Sequence, residues 1–374
     1  MRVMFFNEGN LGTHVVGHGQ LEQALRVGIE GHPELEARFT GMGEMGRLAR
    51  VSATKPLPLL ARAGLDPRTL RWHLVQSLRA RQALRGDLRS WRADLVHVHS
   101  HTVAFAMVHM MRSLPFALSV DATVSDWWQM PAWGRTGRPH TSIAPSIMLE
   151  RRAFTHASLV LAWTAWTKRR AQARAPRANV VEHHPGIDLE RYRPAEHREQ
   201  RARTRVLFVG GRFKEKGGVD LLRALGPELG SSVELDVVTA AEVPEQPGVR
   251  VHRLRPNDAA LLELQQQADI FCLPSYGDAV PWAVLEAMAC GTSVLAGDIG
   301  GIPDLLDGGR AGVLVTPGDQ GGLREGLLAL MENPARRAEL AGGALARARS
   351  HFDARIQTGR LLRLFEESSR GERS

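Results

Sequence analysis

The stretch that decides the fold reads Pro274-Ser-Tyr-Gly-Asp-Ala-Val-Pro-Trp-Ala-Val-Leu-Glu-Ala-Met-Ala-Cys-Gly-Thr292. It follows a short apolar run, Ile270 to Leu273, that is typical of a buried strand, and it passes through a turn into residues with helical spacing. Asp278 lies in the predicted loop, and Glu286 lies in the first turns of the predicted helix. In an open α/β sheet, ligands bind beside the carboxyl ends of the strands. The two carboxylates therefore predict a sugar-nucleotide site at this loop.

The two carboxylates have different expected partners. A carboxylate accepts hydrogen bonds from neighbouring sugar hydroxyls, so we expect Glu286 to hold the ribose of a nucleotide. We expect Asp278 to meet hydroxyls of a transferred sugar. The structural alternative is an aspartate that caps the helix and a glutamate on its surface.

Short apolar runs alternate with amphipathic helical stretches along the whole chain. This pattern predicts an α/β protein with mostly parallel sheets and helices on both of their faces. A chain of 374 residues exceeds what one hydrophobic core usually organises, so two domains are expected. The predicted strands are 2–6, 95–99, 116–120, 158–162 and 180–182 in the first half, and 205–209, 233–238, 249–252, 270–273, 293–296 and 312–315 in the second.

A linker is predicted at 185–194, where a turn with proline and glycine leads into the charged stretch 195–205. We therefore predict a first domain over 1–195 and a second over 196–353. The remaining segment, 354–374, has helical periodicity and is expected to pack back on the first domain.

The sequence contains no stretch that approaches the ~20 apolar residues needed to cross a bilayer, and its N-terminal apolar run is too short for a signal peptide. We therefore expect a cytoplasmic protein. Cys272 and Cys290 fall in apolar segments without metal-ligand spacing, so buried thiols and no disulfide are expected.

Positive charge is concentrated in the first half. Residues 1–195 hold 26 Lys/Arg and 15 Asp/Glu, whereas residues 196–374 hold 22 and 25. This asymmetry favours one domain that faces an anionic partner or the inner face of a membrane, where the protein would bind peripherally. The alternative is an arginine-rich composition on solvated helix faces. No RNA-recognition, zinc-finger or basic-aromatic pattern is present, so no nucleic-acid partner is predicted.

Two glycine-rich loops follow predicted strands. The loop at 7–19 includes Gly12 and His14 and precedes a helix, whose N-terminus suits an anion; a purely structural turn is the alternative. The loop at 210–218 places Arg212 and Lys216 four residues apart between glycines, including Gly211. Two cations and a helix N-terminus suit a diphosphate, whereas the alternative is a solvated charged turn.

The segment 125–140 concentrates three of the eight tryptophans and two arginines in a predicted loop. Aromatic faces stack on sugars and arginine pairs with anions, so Trp127, Trp128 and Arg135 are candidates for an acceptor site that suits an anionic glycan. The alternative is a loop that folds under its own tryptophans.

The second half of the chain resembles the retaining glycosyltransferases of family 4, or group 1, which have the GT-B fold. The matching segments are Val209-Gly-Gly-Arg-Phe-Lys-Glu-Lys-Gly-Gly218, Ala268-Asp-Ile-Phe-Cys-Leu-Pro-Ser275, Asp278 with Leu285-Glu-Ala-Met-Ala-Cys-Gly291, and the stretch from Gly300-Gly-Ile-Pro-Asp to Asp319. In the first half, Asp94-Leu-Val-His-Val-His-Ser100 and His184-Pro-Gly-Ile-Asp188 also resemble the family. The resemblance implies two Rossmann-like, doubly wound domains that face each other across a cleft, with the C-terminal helix crossing back to the first.

Carried over to this sequence, the resemblance implies roles for individual residues. Arg212 and Lys216 would bind the donor diphosphate and act in catalysis with Asp278. Glu286 would bind the ribose, and the base would meet the loop that holds Arg255. The loops implied near the donor sugar and phosphate contain Gly12, Asp121, Ala279 and Val280, and His14 is implied near the acceptor.

Three positions depart from the family pattern. Asp278 stands where the family usually has glutamate, and Pro281 removes a backbone N–H that other members keep near the phosphate. Asp121 stands where relatives often carry histidine, so its role is left open.

The implied activity is transfer of a sugar, with retention of configuration, from a UDP- or GDP-sugar to a glycan, lipid-linked or small-molecule acceptor. No cofactor is implied, and because the sequence lacks Asp-x-Asp, no dedicated metal site is predicted. The alternatives are a phosphorylase or epimerase of the same fold, and a non-catalytic sugar-nucleotide-binding protein.

Overall fold

A computed structural model describes residues 1–8, 16–43, 45–55, 57, 59, 66–133, 142–199 and 201–370. The chain divides into two compact units: one comprises 1–129, 134–186 and 355–374, and the other comprises 130–133 and 187–354. The second unit thus begins earlier than the predicted boundary after residue 195. The reason is local packing, because Ile187 donates its N–H to Phe352 O at 2.6 Å and Tyr192 is buried.

The first unit is built on a six-stranded parallel sheet. Its strands are β1 (Arg2–Asn7), β2 (Glu36–Gly41), β3 (Leu95–Val98), β4 (Phe116–Val120), β5 (Leu159–Ala162) and β6 (Val180–Glu182), in the spatial order β2-β1-β3-β4-β5-β6. Its helices before residue 187 are α1 (Val16–Ile29), α2 (Arg47–Thr54), α3 (Arg68–Ser90), α4 (Val124–Gln129), α5 (Ala144–His156) and α6 (Ala165–Arg174).

The second unit is built on another six-stranded parallel sheet. Its strands are β7 (Thr204–Val209), β8 (Val233–Val238), β9 (Val249–His252), β10 (Ile270–Leu273), β11 (Ser293–Gly297) and β12 (Val313–Val315), in the order β12-β11-β10-β7-β8-β9. Its helices are α7 (Gly218–Leu225), α8 (Ala259–Gln267), α9 (Trp282–Ala289), α10 (Ile302–Leu305), α11 (Gln320–Glu332) and α12 (Pro334–His351).

The predicted α/β class with two doubly wound parallel sheets is confirmed. All eleven predicted strands are present, with ends within one residue of the prediction. Central strands of a parallel sheet are buried on both faces and therefore read as continuous apolar runs, as β5 and β10 do. The prediction missed β2, because this edge strand is half exposed and lacks such a run. Its Phe39 stacks on Phe5 with ring centroids 4.9 Å apart.

The last helix, α13 (Ala354–Ser369), packs within the first unit. Its buried Phe365 lies 6.5 Å from the ring of Phe5 and 5.6 Å from that of His97. Gln357 O lies 3.0 Å from His183 Nε2. These contacts join the end of the chain to the sheet that begins it.

Within the described ranges, no helix is both long enough and apolar enough to cross a membrane. Both cysteines, Cys272 and Cys290, are buried free thiols. Burial raises the pKa of both, in the case of Cys290 to about 12. The thiols are therefore protonated and unreactive at neutral pH.

The first unit buries histidines in the neutral form. Desolvation lowers the pKa of His73 and His97 to about 3 and that of His183 to about 4. His97 Nε2 lies 2.8 Å from Ser119 Oγ. In the unfolded chain these imidazoles titrate near pH 6.5, so the unfolded chain binds protons first on acidification.

We predict that the first unit loses stability as the pH falls from about 6.5 to about 4, because its buried imidazoles stay neutral while those of the unfolded chain become charged. At pH 5 the loss is roughly 2 kcal/mol for each fully buried histidine. Thermal unfolding at pH 7 and pH 5 measures this loss. His97→Gln keeps a nitrogen near Ser119 Oγ and should reduce the pH dependence, whereas the exposed His109→Gln should not. Equal pH dependence in all three proteins would contradict the prediction.

Candidate functional site

The loops after β7 and β10 lie side by side because the two strands are neighbours in the sheet, paired at Ile270 with Val206. Their carboxyl ends therefore meet at one edge. Tyr276 donates its backbone N–H to Glu215 O at 3.0 Å and joins the two loops directly. The strand order thus places the predicted cationic loop beside the predicted carboxylate loop.

The loop after β7 folds into a tight turn before α7. Lys216 donates its backbone N–H to Arg212 O at 2.9 Å, and Gly218 donates to Phe213 O at 2.8 Å. Gly217 has φ of 80°, and a Cβ there would lie 2.1 Å from Pro274 O. Only glycine fits this close approach of the two loops, because any side chain at position 217 would collide with the backbone of Pro274.

Lys216 and Asp278 form the central contact of the site. Lys216 Nζ pairs with Asp278 Oδ1 and lies 3.4 Å from Gly277 O. Asp278 is only 7% exposed, and its second oxygen, Oδ2, is buried without a hydrogen-bond partner among the residues that the structure describes. A buried acceptor left unsatisfied costs about 1–3 kcal/mol of stability. A ligand hydroxyl that donates to Oδ2 removes this cost, and the free energy then favours binding.

Arg212 lies in the same loop as Lys216. Its Nη2 pairs with Glu215 Oε1 at 3.0 Å, and both side chains are about one third exposed. An ion pair this exposed contributes little stability, so a diphosphate can compete with Glu215 for the guanidinium. A Cβ at Gly211 would meet no atom of a described residue within 4 Å.

A second close backbone contact fixes the loop after β10. Gly300 has φ of 62°, and a Cβ there would lie 1.9 Å from Asp278 O. The neighbouring Gly301 donates its N–H to Ala279 O at 2.9 Å. The side chains of Ala279 and Val280 are buried, so this loop is held by packing as well as by backbone contacts.

Glu286 is buried on α9, with an exposed fraction of 4%, and it is therefore not the surface glutamate of the structural alternative. Gln265 Nε2 donates to Glu286 Oε2 at 2.6 Å, and the hydroxyl of the buried Tyr192 donates to Asn257 Oδ1 at 3.3 Å. Burial raises the pKa of Glu286, whereas the hydrogen bond from Gln265 and the charge of Arg191 oppose the rise.

Gln265 and Tyr192 were not predicted as site residues. Two sequence signals point to them: Gln265 begins a run of three glutamines, and Tyr192 is one of only two tyrosines in the chain. The other, Tyr276, lies in the loop after β10.

Arg255 lies apart from this group, in the loop after the edge strand β9. Its backbone N–H donates to Asp258 Oδ2 at 2.7 Å, and its exposed guanidinium makes no hydrogen bond or ion pair with any described residue. Its predicted role near the base stays a prediction.

The candidates of the first unit lie on β4 and α4. Asp121 follows β4 and accepts the N–H of Ala122 at 2.7 Å. Trp127 and Trp128 lie on the helix α4 and not in a loop, which corrects the prediction. The reason is a capping box, in which Asp126 Oδ2 accepts the backbone N–H of Thr123 at 3.0 Å and also its hydroxyl.

The two tryptophans differ in their surroundings. Trp128 packs against the core of the first unit, as the structural alternative proposed, whereas Trp127 is half-buried. Gly12, His14 and Arg135 lie outside the described residues.

Glu150 is a fully buried carboxylate that was not among the residues predicted from the sequence. Its Oε1 accepts the N–H of Val124, at the start of α4, at 2.7 Å and lies 2.9 Å from His101 Nε2. Arg174 pairs with its Oε2 at 3.3 Å. Glu150 therefore fixes the helix that carries Trp127.

Within the described part of the chain, no group of three or more His, Cys, Asp or Glu side chains is arranged to hold a metal ion.

Comparison with known proteins identifies two family models that match the chain. Glycosyltransferase Family 4 matches residues 44–191, and Glycosyl transferases group 1 matches residues 203–333. The chain is 26% identical to glycogen synthase from Mycobacterium tuberculosis over 303 residues, which are 77% of this chain and 72% of the synthase. It is 30% identical to D-inositol 3-phosphate glycosyltransferase 1 from Catenulispora acidiphila over 221 residues, about half of either chain.

Among solved structures, sucrose-phosphate synthase from Thermosynechococcus elongatus is similar to this chain with a TM-score of 0.71. The two are 15% identical, and the match covers 98% of each chain. This likeness shows that the two proteins share a fold.

We predict that Gly300→Ala destabilises the second unit far more than Gly308→Ala. Both glycines have positive φ, but a Cβ at Gly308 would meet no described residue within 4 Å. Gly308→Ala should therefore cost only the backbone strain, about 1 kcal/mol. Gly300→Ala must also displace Asp278 and should cost at least about 3 kcal/mol. Urea unfolding measures both, and equal costs would show that the contact at Asp278 O is not tight.

Proposed function

The chain belongs to the family 4 glycosyltransferases, an enzyme family of GT-B fold, and from this premise we propose that it transfers a sugar with retention of configuration. The proposed donor is a UDP- or GDP-sugar. The proposed acceptor is a glycan, a lipid-linked glycan or a small molecule, a range that includes the substrates in the names of the glycogen synthase and the inositol phosphate enzyme.

We base the proposal on the pair of Lys216 with Asp278, whose Oδ2 has no hydrogen-bond partner in the described part of the chain. Transfer breaks the bond between the anomeric carbon and the diphosphate oxygen, and the diphosphate leaves with the electron pair. Lys216 and Arg212 supply positive charge where this negative charge develops. Losing one such group typically costs about 100-fold to 1,000-fold in rate.

The acceptor hydroxyl oxygen forms the new bond on the face that the diphosphate leaves, and its proton passes to the departing phosphate. No protein nucleophile is needed for this path. Oδ2 of Asp278 accepts a hydrogen bond from a hydroxyl of the donor sugar. The carboxylate also places negative charge near the anomeric carbon, which becomes positive in the transition state. Its side chain is one methylene shorter than the glutamate usual in the family, so the sugar preference need not match that of other members.

Glu286 is proposed to bind the ribose of the donor. It lies on the helix that follows the Asp278 loop, and a carboxylate accepts hydrogen bonds from two neighbouring hydroxyls. Its burial strengthens these hydrogen bonds, because the local dielectric is low.

A peripheral position at an anionic membrane is the second part of the proposal. Helices α2 and α3 of the first unit carry eight arginines and one aspartate. They are joined by Arg71, whose Nη1 donates to Ser52 O at 2.8 Å. Leu59 is 81% exposed and Leu78 is 54% exposed on this same part of the chain. Exposed leucines among arginines suit the surface of a membrane with anionic lipids.

A thermal-shift panel of UDP-, GDP-, ADP- and TDP-sugars tests the donor assignment. We expect one nucleotide class to stabilise the wild type by about 2.7 kcal/mol at a concentration of 100 Kd. Glu286→Ala and Lys216→Ala should lose most of this effect. Lys214→Ala, an exposed cation of the same loop, should retain it.

Equal shifts in the wild type and Glu286→Ala would show that the ribose assignment is wrong. If turnover of the donor requires orthophosphate, the protein is a phosphorylase instead. Stabilisation by a donor without turnover across a broad acceptor panel would identify a non-catalytic binding protein.

Co-sedimentation with vesicles tests the membrane proposal. We expect binding to phosphatidylglycerol vesicles, weakened by salt, and little binding to phosphatidylcholine vesicles. Leu78→Ser should reduce binding several-fold through lost apolar contact. Met148→Ser, which changes an apolar side chain on α5 that is even more exposed, at 71%, should not. Binding that is unchanged in Leu78→Ser and insensitive to lipid charge would contradict the proposal.

A further inference from the structure

Gln265, near the end of helix α8, is joined to α9 and to the segment that follows α9. The residue is fully buried, and its Nε2 donates to Glu286 Oε2 on α9 at 2.6 Å. Its backbone carbonyl accepts a hydrogen bond from the hydroxyl of Thr292 at 2.8 Å. The last carbonyls of a helix have no partner within that helix, and the threonine supplies one here. Both the backbone and the side chain of Gln265 are therefore fixed.

The threonine that holds the backbone of Gln265 is itself held in place. Thr292 is fully buried and lies just after α9. Arg198 Nη2 donates to the Thr292 hydroxyl at 3.2 Å and to Gly291 O at 2.7 Å. The segment that anchors Gln265 thus continues directly from the helix that carries Glu286. The fold itself therefore sets the distance between the amide and the carboxylate.

The hydrogen bond to Glu286 also determines which end of the amide faces the carboxylate. A glutamine side chain ends in one donor group and one acceptor oxygen, whereas a charged carboxylate only accepts hydrogen bonds. If the amide turned over, its Oε1 would face Glu286 Oε2, and the two oxygens would repel each other. Gln265 Oε1 is buried and has no hydrogen-bond partner among the described residues, so no contact at that end selects the orientation.

Burial makes this hydrogen bond strong. Glu286 is only 4% exposed, and hydrogen bonds to a charged group are stronger where the local dielectric is low. Burial favours the protonated carboxyl, whereas the hydrogen bond from Gln265 favours the charged form. The charged form is the one that accepts hydrogen bonds at both oxygens, as two neighbouring hydroxyls of a ribose require.

We propose that Gln265 is a positioning residue of the nucleotide subsite: its Nε2 holds the Glu286 carboxylate in the orientation that accepts the ribose hydroxyls of the donor. This inference rests on the proposed function, in which Glu286 binds the ribose. It goes beyond that function because it assigns the preference for ribose to an amide on α8, outside the loops that hold Lys216 and Asp278.

The two glutamines that follow Gln265 provide a matched control. Gln266 Nε2 donates to Arg193 O at 2.8 Å, and Gln267 Nε2 donates to His197 O at 3.1 Å. These hydrogen bonds hold the segment before β7 and not the carboxylate. Gln266→Met therefore loosens the same helix end but keeps the donor to Glu286.

The test is calorimetry on the full chain with UDP and GDP, and then with the 2′-deoxy and 3′-deoxy analogues of the nucleotide that binds. We expect the wild type to bind the ribonucleotide about tenfold tighter than at least one deoxy analogue. Gln265→Met should weaken the ribonucleotide about tenfold and that analogue little, so the preference for ribose is lost. Gln265→Asn, which withdraws the same amide by one methylene, should do the same and decides the test if methionine disturbs folding. Gln266→Met should keep both the affinity and the preference.

The outcomes separate the inference from the proposed function. If Glu286→Gln loses the preference for ribose but both Gln265 variants keep it, the inference is overturned and the proposed function stands. A loss of preference in Gln266→Met as well would also overturn the inference, because it would show only a loosened helix end. If the wild type binds neither nucleotide, or binds one without any preference for ribose, the ribose assignment fails and the inference fails with it.

Discussion

The site depends on two places where one loop backbone touches another. Gly217 lies against Pro274 O, and Gly300 lies against Asp278 O, at separations that exclude any Cβ. Both contacts exist because β10 has β7 on one side and β11 on the other, so three loops emerge at one edge of a parallel sheet. The pair of Lys216 with Asp278 follows from this packing, since each side chain is delivered by a loop that cannot move independently.

Local sequence patterns were enough to predict most of the fold. A central strand of a parallel sheet is buried on both faces, so its apolar run is visible in the sequence, as in β10. The edge strand β2 has no such run and was missed. The helix that carries Trp127 was mistaken for a loop, although Thr123 and Asp126 have the spacing of a capping box.

The candidate site was predictable only in part, for a different reason. Arg212, Lys216, Asp278 and Glu286 lie in motifs whose spacing is local, so they could be named from the sequence. Gln265 reaches Glu286 across 21 positions of the chain, and no local pattern encodes such a contact. A carboxylate in a local motif is thus easier to predict than a distant side chain that hydrogen-bonds it.

The two buried thiols have a practical consequence for labelling. Cys272 and Cys290 are the only cysteines of the chain, and their raised pKa values keep them in the unreactive thiol form. A maleimide dye should therefore leave the native protein unmodified without any prior replacement of cysteine. One cysteine introduced on the surface of each unit would then carry a fluorophore pair, and the distance between the units could be followed in solution on the otherwise natural sequence.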